Sequence, residues 1–100
     1  MRRGTTDIHR FELPYRSEMI KTLQIIYQQH GETVLEKSLD DCAFDDADAI
    51  VALTQEETFL FTTDYEATVQ VRILTKEGEA ISSDVKIFEV EESLSEEVLV

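Results

Sequence analysis

The most regular stretch of the chain runs from Ala67 to Ile73, where Ala67, Val69, Val71 and Ile73 alternate with Thr68, Gln70 and Arg72. A period of two puts one row on a buried face and the other in water, which predicts a strand in a half-covered sheet. After the Gly-containing turn Lys76-Glu77-Gly78-Glu79, the row Ile81, Ser83, Val85, Ile87 alternates with Ser82, Asp84, Lys86, Phe88. The two segments are expected to form a long hairpin. An earlier hairpin is predicted over 19–39. Leu23, Ile25 and Tyr27 share one face against Thr22, Gln24 and Gln28, His30-Gly31 supplies the turn, and Thr33 to Leu39 returns. A helix competes for 16–29, because Met19, Ile20, Leu23, Ile26 and Tyr27 also fall at helical offsets.

Shorter segments complete the pattern. Ile8 to Leu13 is expected as a first strand, stopped by Pro14, which has no N–H for a ladder. Cys42 to Phe44 reads as a short strand or bulge and Asp45-Asp46-Ala47-Asp48 as a turn. Ala49 to Leu53 is nearly all apolar, so both its faces are expected to be covered. Thr54-Gln55-Glu56-Glu57 has capping-box spacing, predicting a short helical turn near 55–60 with Phe59 and Phe61 tucked under the sheet edge. Six or seven short strands at regular spacing predict an all-β fold, a small antiparallel β-sandwich of generally immunoglobulin-like architecture. Its expected core is Leu23, Ile25, Val51, Leu53, Val69, Val71, Ile73, Val85 and Ile87. Residues 1–7 are expected to be a mobile or docking arm, 8–90 the sandwich, and 91–100 an acidic tail. For the tail, a strand extension and a helical turn begun by Ser93 both fit.

Charge narrows the partners. The chain has 22 acidic and 9 basic residues and a net charge of −13. Phosphate binding rests on Lys and Arg, so neither nucleic acid nor an anionic membrane surface is expected as partner. A basic patch on another protein is compatible with it. Signal-peptide and membrane-span patterns are not seen, so synthesis in the cytoplasm is expected. The single cysteine, Cys42, has no internal partner for a disulfide.

Candidate chemistry is sparse. His9 and His30 lack the spaced second ligand of a zinc site and are expected to be exposed and structurally idle. Asp40, Asp41, Asp45, Asp46 and Asp48 cluster, but not with the spacing of a calcium loop, and are expected to be solvated turn carboxylates. Cys42 has no flanking catalytic signature and is expected as a buried structural thiol. No metal, cofactor or catalytic residue is expected, and the chain is read as no enzyme. Two large residues, Ile26 and Phe88, fall on the nominally polar sides of their strands. Arg2 and Arg3 at one end are opposite in sign to Glu91, Glu92, Glu96 and Glu97 at the other. These four residues, Arg2, Arg3, Ile26 and Phe88, are the candidate protein contacts, with arm and tail expected to dock head to tail between neighbours.

Three segments together carry a resemblance. The opening Met1-Arg2-Arg3-Gly4-Thr5-Thr6, the run Leu53-Thr54-Gln55-Glu56-Glu57-Thr58 before Phe59, and Val69-Gln70-Val71-Arg72-Ile73-Leu74 followed by Ala80-Ile81-Ser82-Ser83-Asp84 resemble small proteins encoded beside tail and baseplate genes in phages and prophages of Firmicutes. The element order is similar to the small N-terminal β-sandwich of upper-baseplate proteins. A Pro commonly follows the paired threonines in that family, where this chain has Asp7. The resemblance implies a structural or assembly component of a tail or baseplate. Its partners would be other tail or baseplate proteins or further copies of itself, and it would be virion-associated after synthesis. A small acidic adaptor engaging a basic protein partner is the alternative.

Overall fold

The computed structural model describes all 100 residues. Eight strands form: β1 (Asp7–Glu12), β2 (Ile20–Gln29), β3 (Glu32–Ser38), β4 (Cys42–Asp45), β5 (Asp48–Leu53), β6 (Ala67–Thr75), β7 (Ala80–Ser82) and β8 (Lys86–Phe88). One helical turn, α1 (Gln55–Thr58), joins β5 to β6. The strands make two sheets, one ordered β1-β5-β4 and the other β3-β2-β6-β7, with β8 continuing along the β6 edge that β7 begins. All pairings between named strands are antiparallel. The chain is an antiparallel β-sandwich. In a variable-type immunoglobulin arrangement B, E and D share one sheet and C′, C, F and G the other. Here β1 to β6 take the places of B, C, C′, D, E and F, and β7 with β8 takes the place of G. Within these residues no strand lies beside β1 where strand A would run.

The period-two rows decide which side chains meet. Leu23, Ile25 and Tyr27 of β2 face Ile73, Val71 and Val69 of β6 in register, and all six are buried. Phe11, Leu13, Ala49, Val51 and Leu53 close the core from the other sheet. Burying a large aliphatic or aromatic side chain is worth about 1.5–3 kcal/mol. These facing rows therefore hold the layers together. The helical alternative for 16–29 fails because the apolar row of β2 has partners on both flanks, in β3 and β6, and pairing decides between two periods that the segment carries equally.

His30-Gly31 makes the β2–β3 turn, with φ of 52° and 77°. At α1 the capping box forms as expected, Thr54 Oγ1 accepting from the Glu57 N–H and the Glu57 carboxylate from the Thr54 N–H. Glu57 also pairs with Lys37, whose side chain is largely buried, tying α1 to β3. Phe61 is fully buried, whereas Phe59 stays half-buried.

Two expectations about packing are overturned. Val85 and Ile87 lie outside the core, at 55% and 65% exposure. Ile73 pairs Ile81, but Val69 pairs Lys86 and Ala67 pairs Phe88, so one extra residue enters the strand between β7 and β8. The Ser83 N–H donates to the Val71 carbonyl and its hydroxyl takes the Val71 N–H, which anchors the bulge. One inserted residue exchanges the two faces of everything after it, so Phe88 turns inward and Ile87 outward. The outer face of β5 is also less covered than its composition implies, with Ala52 exposed and Ile50 half-buried, because that sheet has a single layer against it. Residues 1–3 of the arm dock on the chain's own C-terminal segment. Arg2 makes a parallel bridge to Glu91, and the Arg3 N–H donates to the Glu91 carbonyl, and the Glu91 N–H to that of Met1.

Candidate functional site

The sign complementarity of the two ends is used inside one chain. The Arg2 guanidinium binds the Glu91 carboxylate at 2.8 Å and the Glu92 carbonyl at 2.6 Å. Arg3 is mostly buried. Its guanidinium reaches Glu96 at 3.1 Å and the Phe59 carbonyl at 3.2 Å and lies over the Phe59 ring. Gly4 follows with φ +76°, where an added Cβ would lie 2.4 Å from Phe59 Cζ. The buried Thr58 hydroxyl accepts from the Gly4 N–H and donates to the Thr5 carbonyl. The expected docking of arm on tail therefore takes place within the molecule, because both ends lie on the same side of α1. The tail adopts neither expected form. It runs without regular structure, and the Gln55 amide bonds both the N–H and the carbonyl of Leu99.

The remaining candidate contacts divide. Ile26 is half-buried on the outer face of the larger sheet, in register between Glu36 and Gln70. Phe88 belongs to an aromatic cluster, with ring centroids 5.8 Å from His9, 6.2 Å from Tyr27 and 6.0 Å from Phe61. The bulge turns it inward, where it is half-buried.

His9 corrects the expectation of an idle imidazole. Odd-numbered residues of β1 face the core, which points the ring between the layers. Its Nε2 lies 2.8 Å from the Asp7 carboxylate and its Nδ1 2.6 Å from the Tyr27 hydroxyl. A carboxylate only accepts, so Nε2 donates to Asp7, and Nδ1 is the hydrogen-bond partner of the Tyr27 hydroxyl. Burial, with the nearby charges of Asp7, Cys42 and Glu57, pushes the Tyr27 phenol up from its ordinary value. The row Asp7–His9–Tyr27 thus satisfies a buried hydroxyl, which its burial keeps protonated. His30, exposed in the β2–β3 turn, stacks on Tyr65 at 4.2 Å.

Cys42 is half-buried, and burial raises its thiol pKa. The aspartates scatter into local tasks. Asp41 accepts from the Ser38 N–H and hydroxyl, bonds that hold its carboxyl below the usual range, and Asp45 and Asp48 bind Arg10. No three His, Cys, Asp or Glu side chains converge as a metal site would require. No helix is long and apolar enough to cross a membrane.

The feature that the sequence pattern did not single out is the open side of the sandwich. Each sheet has two edge strands, β1 and β4 in the smaller and β3 and β7–β8 in the larger, and the β1 and β7–β8 edges line the same clefts and so lie on one side of the sandwich. The Leu13 N–H donates to Ala47, which fixes the alternation: the backbone groups of odd residues in β1 bind β5, and those of Ile8, Arg10 and Glu12 point away from it. Between the edges run two shallow clefts. One of about 340 Å³ is lined by residues including His9, Arg10, Phe11, Lys86 and Phe88, and one of about 330 Å³ by residues including Glu12, Leu13, Ile81 and Asp84. Ile8, at 70% exposure, flanks the first. The signal in the sequence was the even row of the first strand, Ile8-x-Arg10-x-Glu12-x-Pro14, which becomes legible only once β1 is known to be an edge.

No protein-family model matches the chain, and no curated protein matches it. Among solved structures, the chain is similar to the V domain of amphioxus IgVJ-C2, at 15% identity over 90% of this chain and 96% of that one, with a TM-score of 0.37.

Proposed function

We propose that the chain is a non-enzymatic structural or assembly component of a phage or prophage tail or baseplate, working by protein–protein contacts. The observation that supports this reading is the open side of the sandwich, where an unpaired strand edge with outward-pointing backbone groups lies beside exposed Ile8. Such an edge is a ready template for another chain. The resemblance of the opening, the α1 segment and the β6–β7 hairpin to tail-cluster proteins supplies the setting. The buried, protonated Tyr27 at the end of the Asp7–His9 row supports a packing role for the most enzyme-like group of side chains. The test is deletion of the gene from a phage or inducible prophage that carries it, followed by electron microscopy of the particles. Tails lacking or misassembling their baseplate are expected. Particles of normal form and infectivity overturn the reading.

A further inference from the structure

The even row of β1 is self-complementary. In order along the strand it presents an apolar residue, a cation, an anion and an apolar residue: Ile8, Arg10, Glu12 and, just past the strand end, Pro14. Ile8, Arg10 and Glu12 lie on the outer face of the smaller sheet with their backbone groups pointing away from β5, and exposed Pro14 follows in the bend that ends the strand. Reversed and laid beside itself about an axis through Phe11, the row sets Ile8 against Pro14, Arg10 against Glu12, Glu12 against Arg10 and Pro14 against Ile8. The seam behind the row has the same polarity, with Arg10 and Lys86 among the residues of one cleft and Glu12 and Asp84 among those of the other. The same two-fold brings the basic end of one molecule against the acidic end of its mate.

We infer that the occupant of the β1 edge is a second copy of this chain, paired antiparallel β1 to β1 about a two-fold axis at Phe11, so that the two small sheets become one continuous sheet. The inference rests on the proposed contact function and names its partner. An isologous contact needs one patch complementary to itself, and this row is such a patch. Glu12 makes no hydrogen bond or ion pair in the monomer, and Arg10, held by Asp45 and Asp48, keeps donors to spare. Opposite charges directly across a ladder stabilise it and like charges weaken it, which selects this register over one that sets Arg10 against Arg10. The repulsion between two chains of net charge −13 opposes the contact, so pairing strengthens as salt screens the wider field.

The test uses the full chain at high micromolar concentration in about 0.3 M salt, which screens charges beyond roughly 6 Å. Sedimentation of the native chain is expected to give twice the 11.5 kDa monomer mass. Glu12→Pro removes an N–H that points away from β5, so it leaves the molecule's own ladder intact while blocking the edge. It is expected to be a folded monomer by circular dichroism and sedimentation, and Glu12→Lys is expected to give the same result. For the register, Arg10→Cys and Glu12→Cys are each made in a Cys42→Ser background. Opposed residues in a hydrogen-bonded pair sit about 5.5 Å apart, within disulfide reach, whereas like positions are offset beyond it. Mixing the two variants under oxidation is expected to give the mixed disulfide at least tenfold faster than either gives its own. A native monomer, a dimer that survives in Glu12→Pro, or like-with-like disulfides as fast as the mixed one each overturn the inference. The gene-deletion experiment decides the tail or baseplate reading separately.

Discussion

Replacing Tyr27 by phenylalanine removes one hydroxyl from the interior of the sandwich and leaves the packing of the ring unchanged. The ring is fully buried between the layers, and the hydroxyl is hydrogen-bonded to His9 Nδ1 at 2.6 Å. Near neutral pH the loss is that of one hydrogen bond, about 1 kcal/mol, since His9 is partly exposed and its freed nitrogen can reach water. For a domain of this size that lowers Tm by about 4–8 °C. The alkaline branch is the discriminating part. Burial, then the charges of Asp7, Cys42 and Glu57, raises the folded phenol above its ordinary value of 10.0. Its stabilisation is complete below the unfolded pKa and is lost as pH rises toward the folded one, because the unfolded chain releases the proton first. Above pH 10 the native chain loses about 1.4 kcal/mol per pH unit through this group, and Tyr27→Phe loses nothing there. The native chain starts about 1 kcal/mol ahead, so the two stabilities are expected to cross about one unit above pH 10. Urea midpoints of both proteins between pH 7 and 11.5 measure the difference directly, and other titrating groups cancel in it. A difference constant across that range would show that Tyr27 ionises as readily folded as unfolded, and would refute the account of its burial.

Three further outcomes follow from the packing. Gln29, buried at the end of β2, bonds the Thr62 N–H and the carbonyls of Thr62 and Tyr65, so Gln29→Ala is expected to cost about 2–4 kcal/mol in urea unfolding through the polar groups it orphans. Gly4→Ala meets both a positive φ and the Phe59 ring, and is expected to release the arm, raising amide exchange at Arg3 and Glu91 about tenfold with little change in Tm. Burial pushes the Glu57 carboxyl up, but hydrogen bonds from Lys37 and the Thr54 N–H outweigh it and leave the pKa below 4.5. That stabilisation is present above the unfolded value and lost as pH falls through the folded one, so Glu57→Gln is expected to flatten the fall of the urea midpoint below pH 4.5.

The candidate site was much less legible than the fold. Arg2 and Arg3 are matched in sign to the acidic tail in the sequence and are expected there to meet it in a neighbouring molecule, whereas their partners proved to be the chain's own Glu91 and Glu96, 89 and 93 positions away. Phe88 stands out as a large residue on a polar row, and one inserted residue near Ser83 turned that row inward. His9 carries no motif at all, since its partners are a neighbour two positions back and a tyrosine on another sheet.

What the sequence determined alone is local. Alternation in β2 and β6, the His30-Gly31 turn and the Thr54–Glu57 cap are each set within a few residues by side-chain period, positive φ and one reciprocal pair of hydrogen bonds. The antiparallel sandwich follows from them, because rows of this kind can be buried only against one another. The tertiary structure decided what depends on contacts distant in sequence: that β1 is an edge while β2 and β6 are central, that the two ends of the chain pair with each other, and that the strand after Ser83 changes face. An edge is defined by the absence of a neighbour, and a strand's own residues do not record how many neighbours it has. The row Ile8, Arg10, Glu12 and Pro14 is therefore an ordinary wet face in the sequence, and becomes a self-complementary surface only when the fold leaves β1 unpaired on that side.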